Sequence, residues 1–540
     1  MMLLLPLILG LVLVPQDAAL ANEPTATPIH FTITPKTSDG RAALHITMTL
    51  TGSAEGITTL HLPDDYYGTP RLHEFVRDIE VSGGSLLPIV QPALRRVSHH
   101  PRATIHFRYT IAFDPSQREG SAYRPSVGPS HFHFLGPQWM ARIDGENDLS
   151  RDFTLTFRDL PEGWTAFSSF GVGEGPHGVT APWSDLVTTV LGGGEYASDT
   201  FEASGASVHT FIREPFEVGT AALFEAIRKI VRHQREFFGG EHRELLVVTL
   251  TPRDGLLAGT SIRNAMICYA SPGSMRTRLA NLLAHEMFHQ WLPNRGQVDP
   301  GSFEESFDWM NEGFTEYFGR RLLLEQGLMD GDEYRGFFNR DLRELGRNPH
   351  RGMKEEELER VHREGSFTNV HYRLSYLRGA LIALDWDTRI CARGDRSLGD
   401  ALREIVEQAT ESGGELPEAS FHALMATYGV DSQADIARWI ERGEPIVPDA
   451  SAFGPDFERR EVSIAESGFR RETSERRGSI VGLDEDGPAW AAGLRSGMEL
   501  ISIEDEGERL TVTVRIDGEA VSFRYAPKSR SDAWQYLPKK

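Results

Sequence analysis

The stretch NLLAHEMFHQWLPN, residues 281–294, limits what this chain can fold into more than any other. His285 and His289 are four apart, and Glu286 follows the first directly. On an α-helix, positions i and i+4 share a face, so both imidazoles can reach one metal ion while the glutamate lies beside it. Leu279, Leu282, Leu283 and Phe288 give that helix an apolar side, and Pro293 stops it. Imidazole suits zinc, and a catalytic zinc site keeps one position for water. A third protein ligand therefore has to come from another part of the chain.

Carboxylates follow in FDWMNEGFTEYFGRRLL, which reads as a second helix from Asp308 onward. Asp308, Glu312 and Glu316 are spaced i, i+4, i+8 and line up along one face. Any of them can be the third ligand, while a neighbour accepts the free N–H of a ligating histidine and fixes its tautomer. Spacing alone does not choose among the three.

HEMFHQW followed by WMNEGFTEY resembles the gluzincin metallopeptidases, in particular the membrane alanyl and glycyl aminopeptidase families. The spacer from His289 to Glu312 fits the glycyl group better. The resemblance implies one Zn2+ per chain held by His285, His289 and Glu312, with Glu286 as general base acting on water. Glu316 or Asp308 is then left to steady a ligand. In RLSYLRGALIALDWDTRI the flanking Arg378-Gly379-Ala380 places Tyr376 where the family has a tyrosine whose hydroxyl stabilises the oxyanion, with Tyr372, one turn earlier, as the fallback. One family feature is missing. A Gly-x-x-Glu-type strand normally holds the substrate's free amine, and LLAGTSIRNAMICYA has Ser261 where that acid is expected. The implied activity is aminopeptidase-like. The alternatives are an endopeptidase or a peptidase for blocked N-termini, and, in another class, a non-catalytic periplasmic peptide-binding protein.

With 540 residues the chain has room for three or four folding units. Residues 1–21 read as a secretory signal, with an apolar run too short to span a bilayer and an Ala19-Leu20-Ala21 cleavage pattern. An exported, periplasmic or secreted protein without a transmembrane segment in its mature chain is expected. From 22 to 212, alternating segments such as HFTITP, ALHITMTL and TIHFRYTIAF predict an antiparallel β-sandwich. From 213 to 445 the pattern turns to a few strands and then helices, a thermolysin-like α/β plus helical catalytic domain. Residues 446–540 are a linker and a β-rich module whose DGPAWAAGLRSGMELISIEDEG resembles a PDZ domain, with ESGF at 466–469 as its carboxylate loop. The fold class is thus multidomain α+β. The partners it implies are a peptide or protein substrate and a C-terminal peptide for the PDZ-like module. A net charge of −22 argues against nucleic acid. His131 and His133 share a strand face but lack an evident third ligand. Cys268 and Cys391 can form one disulfide or stay free.

Overall fold

The computed structural model describes residues 26–539 apart from 39–40, 67–68, 113–122, 187, 241–243, 255, 299–307, 365 and 367. The expected signal peptide lies outside the described residues. Among them, no helix is long and apolar enough to cross a membrane.

Strict alternation builds the first region. In Ala26–Ser38, Ile29, Phe31 and Ile33 are buried while His30 and Thr32 face outward. Phe31 pairs with Met48, and Met48 with Phe107, so three strands present one apolar face. Six-, four- and five-stranded sheets share one core around Phe31, Leu60, Phe107, Phe134 and Trp139. The expected antiparallel sandwich is therefore three sheets around a core, and Ala26–Ser38 lies parallel to Arg151–Phe157.

The next sheet runs, in spatial order, Ala197–Ala203, Ala206–Ile212, Leu246–Pro252, Ala265–Ala270, Leu257–Ile262. Its first two strands lie within 22–212, yet they hydrogen-bond here. Ala206–Ile212 pairs parallel with Leu246–Pro252, which is buried almost throughout, and helix Thr220–Phe238 makes the crossover. Leu257–Ile262 runs antiparallel along the edge of the sheet.

The histidine helix, Arg276–Phe288, packs on the acidic helix Asp308–Glu325, and the acidic helix packs along the tyrosine helix Asn369–Cys391. That second crossing is closed by two motif glycines. A Cβ on Gly313 would sit 2.2 Å from the Gly379 Cα, and one on Gly379 would sit 1.6 Å from the Trp309 carbonyl oxygen. The Gly of NEGF and the Gly of RGA are thus each other's contact, and neither position has room for a side chain.

In the C-terminal module Phe457–Ala465 pairs antiparallel with Arg530–Pro538. Strands Glu499–Asp505, Leu510–Ile516 and Glu519–Tyr525 form a meander over a small core that includes Phe469, Ile480, Leu500 and Val512.

Gly379→Ala is expected to lower stability by about 2–3 kcal/mol, because overpacking meets rigid backbone. Gly336, whose added Cβ would meet nothing within 4 Å, lies in helix Gly331–Arg347. Gly336→Ala should be neutral or stabilise by up to about 1 kcal/mol. Urea-denaturation midpoints of the two variants check both.

Candidate metal centre

Helix Arg276–Phe288 is buried on nearly every side from Leu279 onward, so its motif residues sit in the interior. His289 closes the helix as its C-cap. The two Nε2 atoms are 3.2 Å apart, and Glu312 Oε2 lies 3.3 Å from His285 Nε2 and 3.4 Å from His289 Nε2. Tetrahedral zinc with bonds of about 2.0–2.1 Å holds its ligand atoms about 3.3 Å from one another, so the donors are spaced to share one such ion. Among the described residues this is the group of histidines and carboxylates that could hold a metal.

Two further observations fit a cation. Glu312 Oε2 is buried without a hydrogen-bond partner, a costly state for a carboxylate oxygen unless a positive centre faces it. His289 Nδ1 lies 2.8 Å from the Leu292 carbonyl oxygen, to which its N–H donates, leaving Nε2 as the lone-pair nitrogen. Burial disfavours charge on Glu312, but His289 and His285 outweigh it and hold the carboxyl well below its usual range. For His289 burial is likewise outweighed, by Glu312, and its pKa rises to about 9 while no metal is bound, so a cation that takes Nε2 displaces the proton held there. Burial pushes Glu286 upward; Glu312 and Glu316 add to this while the two imidazoles oppose it.

Glu286 lies against the edge strand, where a Cβ on Gly259 would come within 2.4 Å of its Cγ. Glycine there leaves space for the carboxylate. The hydroxyl of Tyr123, from the N-terminal region, donates to the Gly259 carbonyl. Two positions along, Ser261 Oγ accepts a 2.5 Å hydrogen bond from Gln290 Nε2, which also reaches the Ile262 and Ala265 carbonyls. The position where the family resemblance implies an acid is therefore neutral and tied to the residue after His289.

Of the three aligned carboxylates, Glu312 points into the centre and Glu316 turns back to His285, with Oε1 3.9 Å from Nδ1. Glu316 is fixed by Arg320 at 2.5 Å, and Arg320 in turn by Asp341 at 2.5 Å. Asp308 is buried near Tyr372, and together with Glu312 it adds to burial in keeping that phenol protonated. The Tyr372 hydroxyl donates to Glu312 Oε1 at 2.9 Å. Tyr376 lies with its ring parallel to that of His285, centroids 5.8 Å apart, and burial, with Glu312, holds its hydroxyl protonated.

Sequence reasoning placed the pentapeptide residues, Glu312 and both tyrosines around one point. It missed Tyr372 as the partner of Glu312, Gln290 as the partner of Ser261, and the Arg320–Asp341 pair. Arg320 could have been found, one turn beyond Glu316 on the same face; Asp341 carries no local signal. His131 and His133 are elsewhere, in the core. His131 is bonded to Ser126 and Arg213, His133 to Thr249 and Tyr269, and burial lowers both pKa values to about 3, so both are neutral. Cys268 and Cys391 are both free thiols.

Residues 278–373, which span the histidine and acidic helices, match the family described as M61 glycyl aminopeptidase. The resemblance to the glycyl aminopeptidase family is thereby shown. Leucine aminopeptidase 2 of Ajellomyces capsulatus is 30% identical over 123 residues, 22% of this chain and 17% of that protein. Its counterpart from Aspergillus niger is 31% identical over the same shares. The chain thus spans only 17% of the length of these curated relatives. An aminopeptidase N family protein from Idiomarina loihiensis superposes with a TM-score of 0.67 at 15% identity, over 95% of this chain and 98% of that one. The glycyl aminopeptidase match thus sits within a multidomain α+β chain that shares its fold with that protein.

Tyr372→Phe removes the hydrogen bond that orients Glu312. Its zinc affinity is expected to fall about 10-fold or more, as losses of ligand-orienting partners do. Competition with a chromogenic chelator measures it.

Proposed function

We propose that the chain is an exported zinc-dependent metallopeptidase, aminopeptidase-like in its chemistry, with His285, His289 and Glu312 as ligands of one Zn2+. The observation that carries this reading is the convergence of two imidazole nitrogens and an unpartnered buried carboxylate oxygen beside Glu286. When bound there, zinc supplies Lewis acidity that polarises the scissile carbonyl and acidifies a water. Glu286 takes the water's proton and later delivers it to the leaving amine. Burial, which lifts the Glu286 carboxyl above its usual range, suits a group that must both accept and donate a proton. Tyr376, kept protonated, donates to the oxyanion. Tyr372 holds Glu312, and Glu316 steadies His285.

A second reading is favoured by one pair of residues. Ser261 and Gln290 are bonded to each other at the strand position where an anion would bind a free amine. A hydroxyl there suits a neutral group, which supports cleavage of internal or blocked bonds over strict removal of a free N-terminal residue. A purely peptide-binding role has less support, since Glu286 has no use at a structural metal site.

The C-terminal module is read as PDZ-like, and ESGF as its loop. That loop leads into helix Arg471–Arg477 where an edge strand would be needed to take up a peptide. Export rests on the sequence of residues 1–21 alone.

Purified protein is expected to hold one zinc per chain and to lose peptidase activity on chelation. Glu286→Gln should keep the zinc and lose about 10²–10⁴ in kcat, and Tyr376→Phe about 10²–10³ with zinc affinity retained. Metal analysis beside a peptide-library assay tests this. Residual activity of Glu286→Gln equal to that of wild type would overturn the assigned base. Equal cleavage of free and acetylated peptides in that library supports the second reading, and cleavage of free N-termini alone excludes it.

A further inference from the structure

Helix Gly331–Arg347 has two occupied faces. Its inner face carries Tyr334, Phe338, Asp341 and Leu345, all buried. Asp341 binds Arg320, which lies over the Phe338 ring and binds Glu316, the carboxylate behind His285. Glu344 makes a two-pronged ion pair with Arg373, both contacts 3.1 Å, and the Arg373 guanidinium lies 4.9 Å over the Tyr376 ring. One helix therefore reaches both the zinc ligands and the oxyanion tyrosine, each through one arginine.

The outer face is spaced at i, i+4, i+8, i+12, and each of its positions meets the C-terminal module. Arg335 lies 4.1 Å over the Phe457 ring. Asn339 exchanges two hydrogen bonds with the Tyr536 backbone, at 3.0 and 2.8 Å. Arg343 pairs with Glu475 at 2.8 Å, and Arg347 with Glu472 at 2.6 Å and Glu466 at 3.4 Å. Glu466 opens ESGF, so the loop expected to receive a peptide's carboxylate is engaged by the chain's own arginine. Phe469, which closes it, is buried in the module's core. The module also touches the start of the histidine helix, with Glu499 against Gly273 and Gly478 against Arg278.

We infer that the C-terminal module is a brace for the metal centre, and that its docking on helix Gly331–Arg347 sets Arg320 and Arg373 as positioning residues for His285 and Tyr376. The inference rests on the proposed zinc reading. Helix Gly331–Arg347 is the shared element: its inner contacts position the ligand set only while its outer contacts hold it in place. Docking and zinc binding are then coupled, and the coupling acts equally in both directions.

The test uses the full chain and zinc alone as probe. Arg347→Glu puts a carboxylate against Glu472 and Glu466. It is expected to weaken zinc binding about tenfold and lower kcat by a similar factor with KM little changed. Arg347→Lys, which keeps the charge, should stay within about threefold of wild type. In the wild-type protein, zinc should slow amide hydrogen exchange in strands Phe457–Ala465 and Arg530–Pro538, far from the ligands in sequence; this arm stands even where Arg347→Glu fails to fold. Wild-type zinc affinity and kcat in a folded Arg347→Glu variant, or exchange in those strands that zinc leaves unchanged, would overturn the brace. A wild-type protein that binds no zinc overturns the metal reading and the brace together, whereas zinc uptake without coupling overturns the brace alone.

Discussion

The contact between Gly313 and Gly379 governs the rest of the centre. Two helices can approach this closely only where neither carries a side chain at the crossing, and here each would place a Cβ inside the other's backbone. Glu312 precedes one glycine directly, and Tyr376 lies three residues before the other. The crossing therefore brings carboxylate and phenols to the same point as the histidines. A larger residue at either glycine would separate the helices, and with them the third ligand from the tyrosines.

The electrostatics follow from that enclosure. Buried carboxylates are unfavourable unless paired. Glu316 and Asp341 share Arg320, and Glu344 takes Arg373. Glu312 Oε1 takes the Tyr372 hydroxyl, while Oε2 faces the two imidazole Nε2 atoms at 3.3 and 3.4 Å and accepts no hydrogen bond. Such a site suits the divalent cation proposed above. The same arginines join the centre to helix Gly331–Arg347 and so to the C-terminal module, which is why distant surface contacts bear on ligand geometry.

What was legible in the sequence was local. The i, i+4 spacing put His285 and His289 on one helix face, and the aligned acids were visible at 308, 312 and 316. Choosing Glu312 required the NEGF context, and the structure explains that context through Gly313. Arg378-Gly379-Ala380 set Tyr376 ahead of Tyr372, which was the fallback, but did not say what either touches. The crossing supplies those contacts, giving Tyr372 to Glu312 and setting Tyr376 parallel to His285. Asp341 and Gln290 were invisible because each acts through a contact made by folding. The strands at 197–212 alternate like those before them, but alternation does not say which sheet a strand joins. Parallel pairing of Ala206–Ile212 with Leu246–Pro252 decided that. The β-rich character of the C-terminal module was legible in its turn pattern, yet helix Arg471–Arg477 and its docking surface left no trace in that pattern.

The proposed reading requires one zinc shared by His285, His289 and Glu312. Anomalous diffraction at the zinc edge, from crystals of the full chain grown with zinc, tests it most directly. A single strong peak is expected about 2.0–2.2 Å from His285 Nε2, His289 Nε2 and a Glu312 carboxylate oxygen. A peak ligated by other residues, or no peak between these three in protein that has taken up zinc, would contradict it.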